Sequence, residues 1–352
     1  MVSDAVRVLV VDDSALARQI ITGAISRHPK IDVVGTAPDV YVARDRIVAL
    51  KPDVLTLDVE MPRMDGVQFL KRLMPQYPMP VIIVSALTRA GAAITLDALA
   101  SGAVDFVPKP SSSFGQKLDS MADELVDKIL VAAQTDVSRW RDQSFQLAAV
   151  KHKQTSLQES SAKVIAVGAS TGGTVALTGV IRSLPTTVPG MVVVQHMPPV
   201  FTGMFADKLN EISAVEVKEA ADGDRVLTGR VLIAPGGVHT TVERQGGRYV
   251  VRCKAGEPVS GHCPSVDVLM ESVATAVGRN AVGVVLTGMG SDGANGLLRM
   301  RQAGARTFAQ DEASSVVFGM PKQAYQNGAA EKLVAITKVA DELVRVSEEI
   351  TA

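Results

Sequence analysis

Cysteine is nearly absent from the chain: Cys253 and Cys263 are the only two among 352 residues. A lone pair does not make the disulfide framework of a small secreted domain, and both are read as reduced thiols. No CxxC spacing or His/Cys cluster occurs, which argues against a zinc site. An excess of one charge is missing too. Lys plus Arg number 36 against 37 Asp plus Glu, a formal net charge of −1. With no long basic or acidic block, neither nucleic acid nor an anionic membrane is expected as the main partner. No apolar run approaches the ~20 residues of a membrane span. Met1 to Val6 shows no basic segment leading into an apolar one, so no secretory leader is expected and the chain is read as cytoplasmic. No exposed heptad seam appears, and a monomer is expected. Apolar residues are what the chain does have: 47% of 352 residues is enough for two domains of ordinary size.

In the first half, apolar runs alternate with amphipathic segments. Val6–Val11 reads as a buried parallel strand and is followed at once by Asp12-Asp13-Ser14. Ala17, Ile20, Ile21, Ala24 and Ile25 then mark one face of a helix. Further strands are predicted over 31–35, 53–58, 81–85 and 103–109, and helices over 41–50 and around Leu118 to Ile129. Five such alternations predict an open, doubly wound parallel sheet with helices on both faces. Right-handed crossovers then put the C-terminal ends of all strands on one edge. Asp12, Asp13, Asp58, Ser85 and Lys109 stand on that edge. Three carboxylates brought together repel unless a cation joins them, and hard oxygen ligands suit Mg²⁺. A metal there can neutralise an incoming phosphoryl group. Lys109 can pair with a phosphoryl oxygen and the Ser85 hydroxyl can donate to one. A carboxylate such as Asp58 can itself become an acyl phosphate.

With Asp12-Asp13, Asp58 ahead of Met61-Pro62-x-Met64-Asp65-Gly66, Ser85-Ala86 and Lys109-Pro110 in place, residues 6–130 resemble the receiver domain of two-component response regulators. The resemblance implies phosphorylation of Asp58 by a histidine kinase with Mg²⁺ held by Asp12, Asp13 and Asp58. It also puts Phe106 at the aromatic switch position, where a ring without a hydroxyl would act by packing. Residues 1–133 are therefore expected to form a receiver. Residues 134–162, polar and weakly periodic apart from a short helix near Trp140, are expected to be an exposed linker.

The remainder, 163–352, is organised around Val164-Ile165-Ala166-Val167-Gly168-Ala169-Ser170-Thr171-Gly172-Gly173. The pattern is strand, tight turn, helix. Gly168-x-Ser170-x-Gly172 has the spacing of a nucleophile elbow, although a phosphate cradle has similar composition. Met191–Gln195 is a β-branched strand with His196 at its end. Met197-Pro198-Pro199 is expected to delay the next helix to Phe201–Leu209. A hairpin is expected from Thr240 through Gly246-Gly247 to Arg252. A strand over 281–286 leads to Thr287-Gly288-Met289-Gly290-Ser291-Asp292-Gly293. Ser170, His196 and Asp292 thus each follow an apolar strand, at the edge where open α/β sheets bind ligands. A serine needs a base, histidine has the pKa for it, and an aspartate can fix the imidazole tautomer. Backbone N–H groups near Met289 can point at a developing oxyanion. Asp292 could instead cap the following helix. His239 and His262 remain alternatives to His196, which alone ends an unbroken apolar strand. The order Ser, His, Asp differs from that of α/β-hydrolases, so the elbow spacing does not indicate that fold.

These motifs, with Gln195-His196-Met197-Pro198, Ala234-Pro235-Gly236-Gly237-Val238-His239 and Gly319-Met320-Pro321, make residues 163–350 resemble the catalytic domain of chemotaxis protein-glutamate methylesterases. Ser291 stands where some relatives are expected to carry Asn. The resemblance implies Ser170 as nucleophile, His196 as base, Asp292 as its orienting acid and the Met289 backbone as oxyanion donor, with no cofactor for the ester chemistry. It implies a Rossmann-like domain that demethylates γ-glutamyl methyl esters on chemoreceptor helices and deamidates receptor glutamines. It further implies that an unphosphorylated receiver covers the Ser170 edge and that phosphorylation loosens it. Two other classes compete: a nucleotide-binding output domain, weakened by the missing acidic residue ~20 positions after the Gly-rich turn, and a DNA-binding regulator, for which the chain lacks a basic stripe.

Overall fold

The computed structural model describes residues 5–86, 88–109, 116–138 and 159–350. The chain divides into two units, Met1–Phe145 and Gln146–Ala352. In the first, the apolar runs become β1 (Val6–Val11), β2 (Ile31–Ala37), β3 (Val54–Leu57), β4 (Val81–Ser85) and β5 (Asp105–Pro108). Between and after them lie α1 (Ala15–Ile25), α2 (Val40–Leu50), α3 (Gly66–Gln76), α4 (Arg89–Ala100) and α5 (Gln116–Ala132). The strands pair in the order β2-β1-β3-β4-β5, all parallel. Strands covered on both faces need apolar side chains in both directions, and Val8, Leu9, Val10, Leu55, Ile82 and Ile83 are all buried. The first four helices start with a side-chain cap: Ser14, Asp39, Asp65 and Thr88 each accept a first-turn N–H. Each cap lies in a loop leaving the C-terminal end of a strand, so positive helix ends gather at the edge that carries the carboxylates.

Pro110, Trp140 and most of the sequence-defined linker lie outside the described residues. Its last residues belong to the second unit. Ser160 forms a bridge with Leu227, Ser161 N–H donates to Val226 O at 3.2 Å, and the Ser161 hydroxyl accepts from Gly190 N–H at 3.0 Å.

The second unit contains β6 (Val164–Ala169), α6 (Gly173–Arg182), β7 (Gly190–Gln195), α7 (Pro199–Ile212), β8 (Glu216–Glu219), β9 (Arg230–Ile233), β10 (His239–Gln245) and β11 (Arg248–Lys254). It continues with α8 (Val266–Ala276), β12 (Ala281–Val285), α9 (Ala294–Gln302), β13 (Arg306–Gln310), α10 (Met320–Gln326), β14 (Leu333–Val334) and α11 (Ile336–Glu349). Seven strands make a parallel sheet in the order β14-β13-β12-β6-β7-β9-β8, and β10 and β11 form a separate antiparallel hairpin. The chain begins this sheet in the middle, at β6, builds outward through β7, and returns to the other side at β12. The crevice beside β6 is therefore a switch point, the place where such sheets take ligands.

Both doubly wound sheets and the hairpin follow the sequence pattern. Some details differ, and α3 and α4 fall where no helix is predicted. The helix after His196 starts at Pro199 rather than Phe201. Proline lacks only an N–H that the first turn leaves unpaired, and its fixed φ suits the first helical position, so Pro199 opens the helix it was expected to delay. The edge strand β8 reads Glu-Val-Lys-Glu, which one-sided exposure permits but no apolar run announces. The two-residue β14 and the seven-residue α10 are too short for a period to show.

The β6 strand packs tightly under α8. A Cβ placed on Gly168 would lie 2.7 Å from Val266 Cγ2 and closer still to Cγ1. Gly168→Ala is expected to cost about 1–3 kcal/mol through overpacking. The check is a lowered urea midpoint with unchanged slope, with most of the loss recovered in the Gly168→Ala/Val266→Ala double variant.

Candidate functional site

In the first unit the expected edge cluster forms. Asp12 and Asp13 follow β1, Asp58 follows β3, and one carboxylate oxygen from each lies within 4.8 Å of the others. Lys109, after β5, places its ammonium 2.7 Å from Asp12 Oδ2 and 2.7 Å from Asp58 Oδ2. Asp12 and Asp58 are buried and Asp13 is exposed. Burial pushes the Asp58 carboxyl above its usual range, and the Lys109 ammonium only partly opposes this. Burial works against the Lys109 charge, but Asp12 and Asp58 outweigh it and raise its pKa. Three carboxylates facing one ammonium leave negative charge in excess, on hard oxygen donors at an edge open through Asp13. That donor set fits a hard divalent cation.

One other expected member of the edge, Ser85, is engaged elsewhere. Ser85 is fully buried, and its hydroxyl lies 2.7 Å from Thr95 Oγ1 on α4. Thr95 Oγ1 in turn donates to Gly91 O at 2.7 Å, so Ser85 is the donor of that pair. The hydroxyl is thus committed to α4, not to Asp58. Phe106 is buried, with the Lys128 ammonium 5.4 Å from its ring centroid.

In the second unit, β12, β6 and β7 are neighbours, and each delivers one residue of the Ser/His/Asp group. Ala169 pairs with Gln195, so Ser170 and His196 are the next residues on adjoining strands. His196 N–H donates to Ala169 O at 3.2 Å, and Ser170 N–H donates to Thr287 O at 3.0 Å. The buried Gln195 amide ties the two together by donating to Ser170 O at 3.0 Å. His196 Nε2 lies 2.8 Å from Asp292 Oδ2. The Asp292 carboxylate also accepts from Val266 N–H at 2.8 Å, Asp267 N–H at 3.0 Å and the Ser265 hydroxyl at 2.8 Å. Burial alone would raise the Asp292 pKa. The His196 ring and the N–H groups of Asp267 and Val266 overcome it and hold Asp292 below the usual carboxylate range. Asp292 therefore sits at a helix N-terminus, but at that of α8, where it accepts two N–H groups beside the N-cap residue Ser265. The residue capping α9 is Gly293.

His196 Nδ1 is buried without a hydrogen-bond partner among the described residues. A neutral imidazole that donates from Nε2 to Asp292 leaves a lone pair on Nδ1. Ser170 Oγ makes no hydrogen bond to it here, a looseness common before substrate is bound. Met289 lies in the turn after β12, beside Gly288, and its N–H makes no hydrogen bond among the described residues.

The competing histidines have other positions. His239 Nδ1 accepts from Ser265 N–H at 3.3 Å, so its Nε2–H donates to Glu257 O at 2.9 Å. Both ring nitrogens are spent holding the 254–265 segment. That segment carries His262, whose ring stacks on His196 with centroids 3.7 Å apart and planes 12° from parallel. The sequence did not single out Ser265, Asp267 or the His262 stack. Pro264-Ser265-x-Asp267 signals a helix start, but nothing in it indicates which other loop that helix end will hold. Cys253 and Cys263 are free thiols.

A receiver fold with an acidic edge, joined to an α/β unit with Ser, His and Asp at its switch point, defines the class: a response-regulator hydrolase. Comparison with known proteins narrows it. A family model described as CheB methylesterase matches residues 165–343, and one described as response regulator receiver domain matches residues 8–118. A protein-glutamate methylesterase/protein-glutamine glutaminase of Syntrophotalea carbinolica is 58% identical over 98% of this chain and 98% of its own length. One from Sulfurimonas denitrificans is 52% identical over 95% and 96%. The crystal structure of the Thermotoga maritima CheB methylesterase catalytic domain matches with a TM-score of 0.51 and 36% identity, covering 52% of this chain and 98% of that one. The chain belongs to the CheB methylesterase family and is a receiver-linked protein-glutamate methylesterase/protein-glutamine glutaminase.

Thr287 locks the turn on which Ser170 rests. Its buried hydroxyl lies 3.0 Å from Thr171 O and accepts from Val317 N–H at 2.9 Å. Thr287→Val takes the acceptor away from the Val317 N–H and is expected to cost about 1–3 kcal/mol. Hydrogen exchange at the Val317 amide, faster in the variant, checks it.

Proposed function

We propose that this chain is a phosphorylation-activated esterase that hydrolyses γ-glutamyl methyl esters on chemoreceptor cytoplasmic helices, yielding glutamate and methanol. The observation that supports this most is the His196 Nε2–Asp292 bond, formed beside Ser170 with Nδ1 left unpartnered. Ser170 Oγ attacks the ester carbonyl while its proton passes to His196 Nδ1. Asp292 holds the ring and offsets the imidazolium charge. The Met289 N–H donates to the oxyanion of the tetrahedral intermediate. Collapse breaks the bond to the methoxy oxygen, which takes the proton from His196 and leaves as methanol. Water then attacks the acyl-enzyme, gives its proton to His196, and glutamate departs as Ser170 regains its hydrogen. A glutamine side chain follows the same path with ammonia as leaving group, and this is the proposed deamidation.

Asp58 is the proposed phosphoacceptor, with a histidine kinase of the chemotaxis pathway as donor. Asp12, Asp13 and Asp58 would hold Mg²⁺, which when bound supplies positive charge against the phosphoryl group. Lys109 exchanges its carboxylate contacts for a phosphoryl oxygen. Ser85 must release Thr95 before it can donate to another, and Phe106 responds by repacking. Ser85 and Thr95 thereby connect phosphorylation to α4. The chain would work in the cytoplasm, where kinase and receptor signalling helices are found; no helix among the described residues is long and apolar enough to cross a membrane.

Methanol release from methylated receptor membranes tests both halves. Wild type should release methanol faster with a small phosphodonor and Mg²⁺. Ser170→Ala should lose at least about a thousandfold in kcat, and Asp58→Asn should keep basal release without stimulation. Equal release by wild type and Ser170→Ala would overturn the mechanism. Receptor glutamine left unchanged by active enzyme would remove the deamidation.

A further inference from the structure

Two helices in the second unit exchange the carboxylates at their N-termini. The N-terminus of α8 is covered by Asp292, which lies in the loop before α9. The N-terminus of α9 is covered by Asp267, the second residue of α8. Asp267 Oδ1 accepts from Gly293 N–H at 2.9 Å and from Gly296 N–H at 2.7 Å, while Oδ2 accepts from the Ser260 hydroxyl at 3.1 Å. The Asp267 N–H completes the exchange by donating to Asp292 Oδ1. Asp267 is only 4% exposed, and no cation pairs with it among the described residues. A buried carboxylate without a counter-ion is costly unless its hydrogen bonds are well made. These are, and two of them hold α9, whose own cap, Gly293, has no side chain to offer.

Gly293 is also the residue after Asp292. Its φ is +91°, and a Cβ there would run into Val266. The peptide joining Asp292 to Gly293 therefore depends on Asp267 for its orientation, because the Gly293 N–H is one of the two that Asp267 accepts. That peptide sets the direction in which the Asp292 side chain leaves the backbone toward His196.

We propose that Asp267 is a positioning residue for the hydrolase reaction: by accepting the Gly293 and Gly296 N–H groups, it fixes the turn that aims Asp292 at His196 Nε2. The assignment rests on the reading of Ser170, His196 and Asp292 as the reacting constellation. It requires the bonds rather than the charge. Asparagine keeps an acceptor oxygen at Oδ1 and alanine removes it.

The test uses the full chain activated by phosphodonor and Mg²⁺, with methylated receptor membranes as substrate. Asp267→Ala is expected to lower kcat by about ten- to a hundredfold, the scale of a small misplacement in an active site, with KM moved less than about twofold. Asp267→Asn should recover most of that loss. The low-field proton resonance of His196 Nε2–H, assigned with Asp292→Ala as reference, should persist in Asp267→Asn and be lost or displaced in Asp267→Ala. If Asp267→Ala does not fold, Asp267→Ser, which leaves room for a bridging water, takes its place with the same expectations. A variant that unfolds more easily but keeps wild-type kcat and the resonance would overturn the proposal, since Asp267 would then be structural only. Asp267→Asn as impaired as Asp267→Ala would overturn it as well. Ser170→Ala, measured in parallel, separates the two levels. Activity surviving in Ser170→Ala sinks the catalytic reading, whereas its loss there with none in Asp267→Ala sinks only the role of Asp267.

Discussion

The arrangement of the second unit depends on one buried negative charge, that of Asp292. A carboxylate removed from water needs nearly every lone pair occupied. Asp292 meets this with two N–H groups at the start of α8, the Ser265 hydroxyl and the His196 ring. The first turn of a helix supplies unpaired N–H groups and a positive dipole end, worth up to ~2 kcal/mol to a partly buried anion. The helix end and the carboxylate thus solve each other's problem. Because α8 also packs on β6 through Val266 against Gly168, the position of the charge is tied to the strand that presents Ser170.

The receiver meets a similar constraint differently. Asp12 and Asp58 are also buried carboxylates, but Lys109 balances them only in part. Asp292 is saturated by fixed donors, whereas the receiver cluster keeps an excess of negative charge at an edge that Asp13 leaves open. A saturated carboxylate suits a group that must hold still. An under-balanced cluster suits a site whose occupant changes. The Ser85 hydroxyl is satisfied by Thr95 and has to give up that partner to gain another.

The parallel sheet explains why distant parts of the chain meet. β12, β6 and β7 lie side by side although β12 follows β7 by 86 residues, from Gln195 to Ala281. Right-handed crossovers leave all their C-terminal ends on one edge. His239 and His262 show how the edge is furnished beyond the strands. His239 uses both ring nitrogens to hold a segment in place, and His262 on that segment lies flat against His196. Aromatic rings at this spacing restrict each other's tilt, so the stack limits His196 to orientations compatible with Asp292.

The sequence by itself determined both parallel sheets, the hairpin, and the edge positions of Asp12, Asp13, Asp58, Lys109, Ser170, His196 and Asp292. It could do so because a buried strand is written as a short apolar run, and residues just after such runs share an edge whatever the packing details. It could not separate His196 from His239 by more than the quality of the preceding strand, nor tell that Asp292 accepts from the N-terminus of α8 instead of capping α9. It gave no sign of Asp267, and its reading of Pro199 as a barrier was reversed by helix geometry. Tertiary structure alone decided which donor meets which acceptor. Hydrogen bonds act over about 3 Å, a scale on which residues 25 positions apart, such as Asp267 and Asp292, are neighbours only once α8 and α9 have packed.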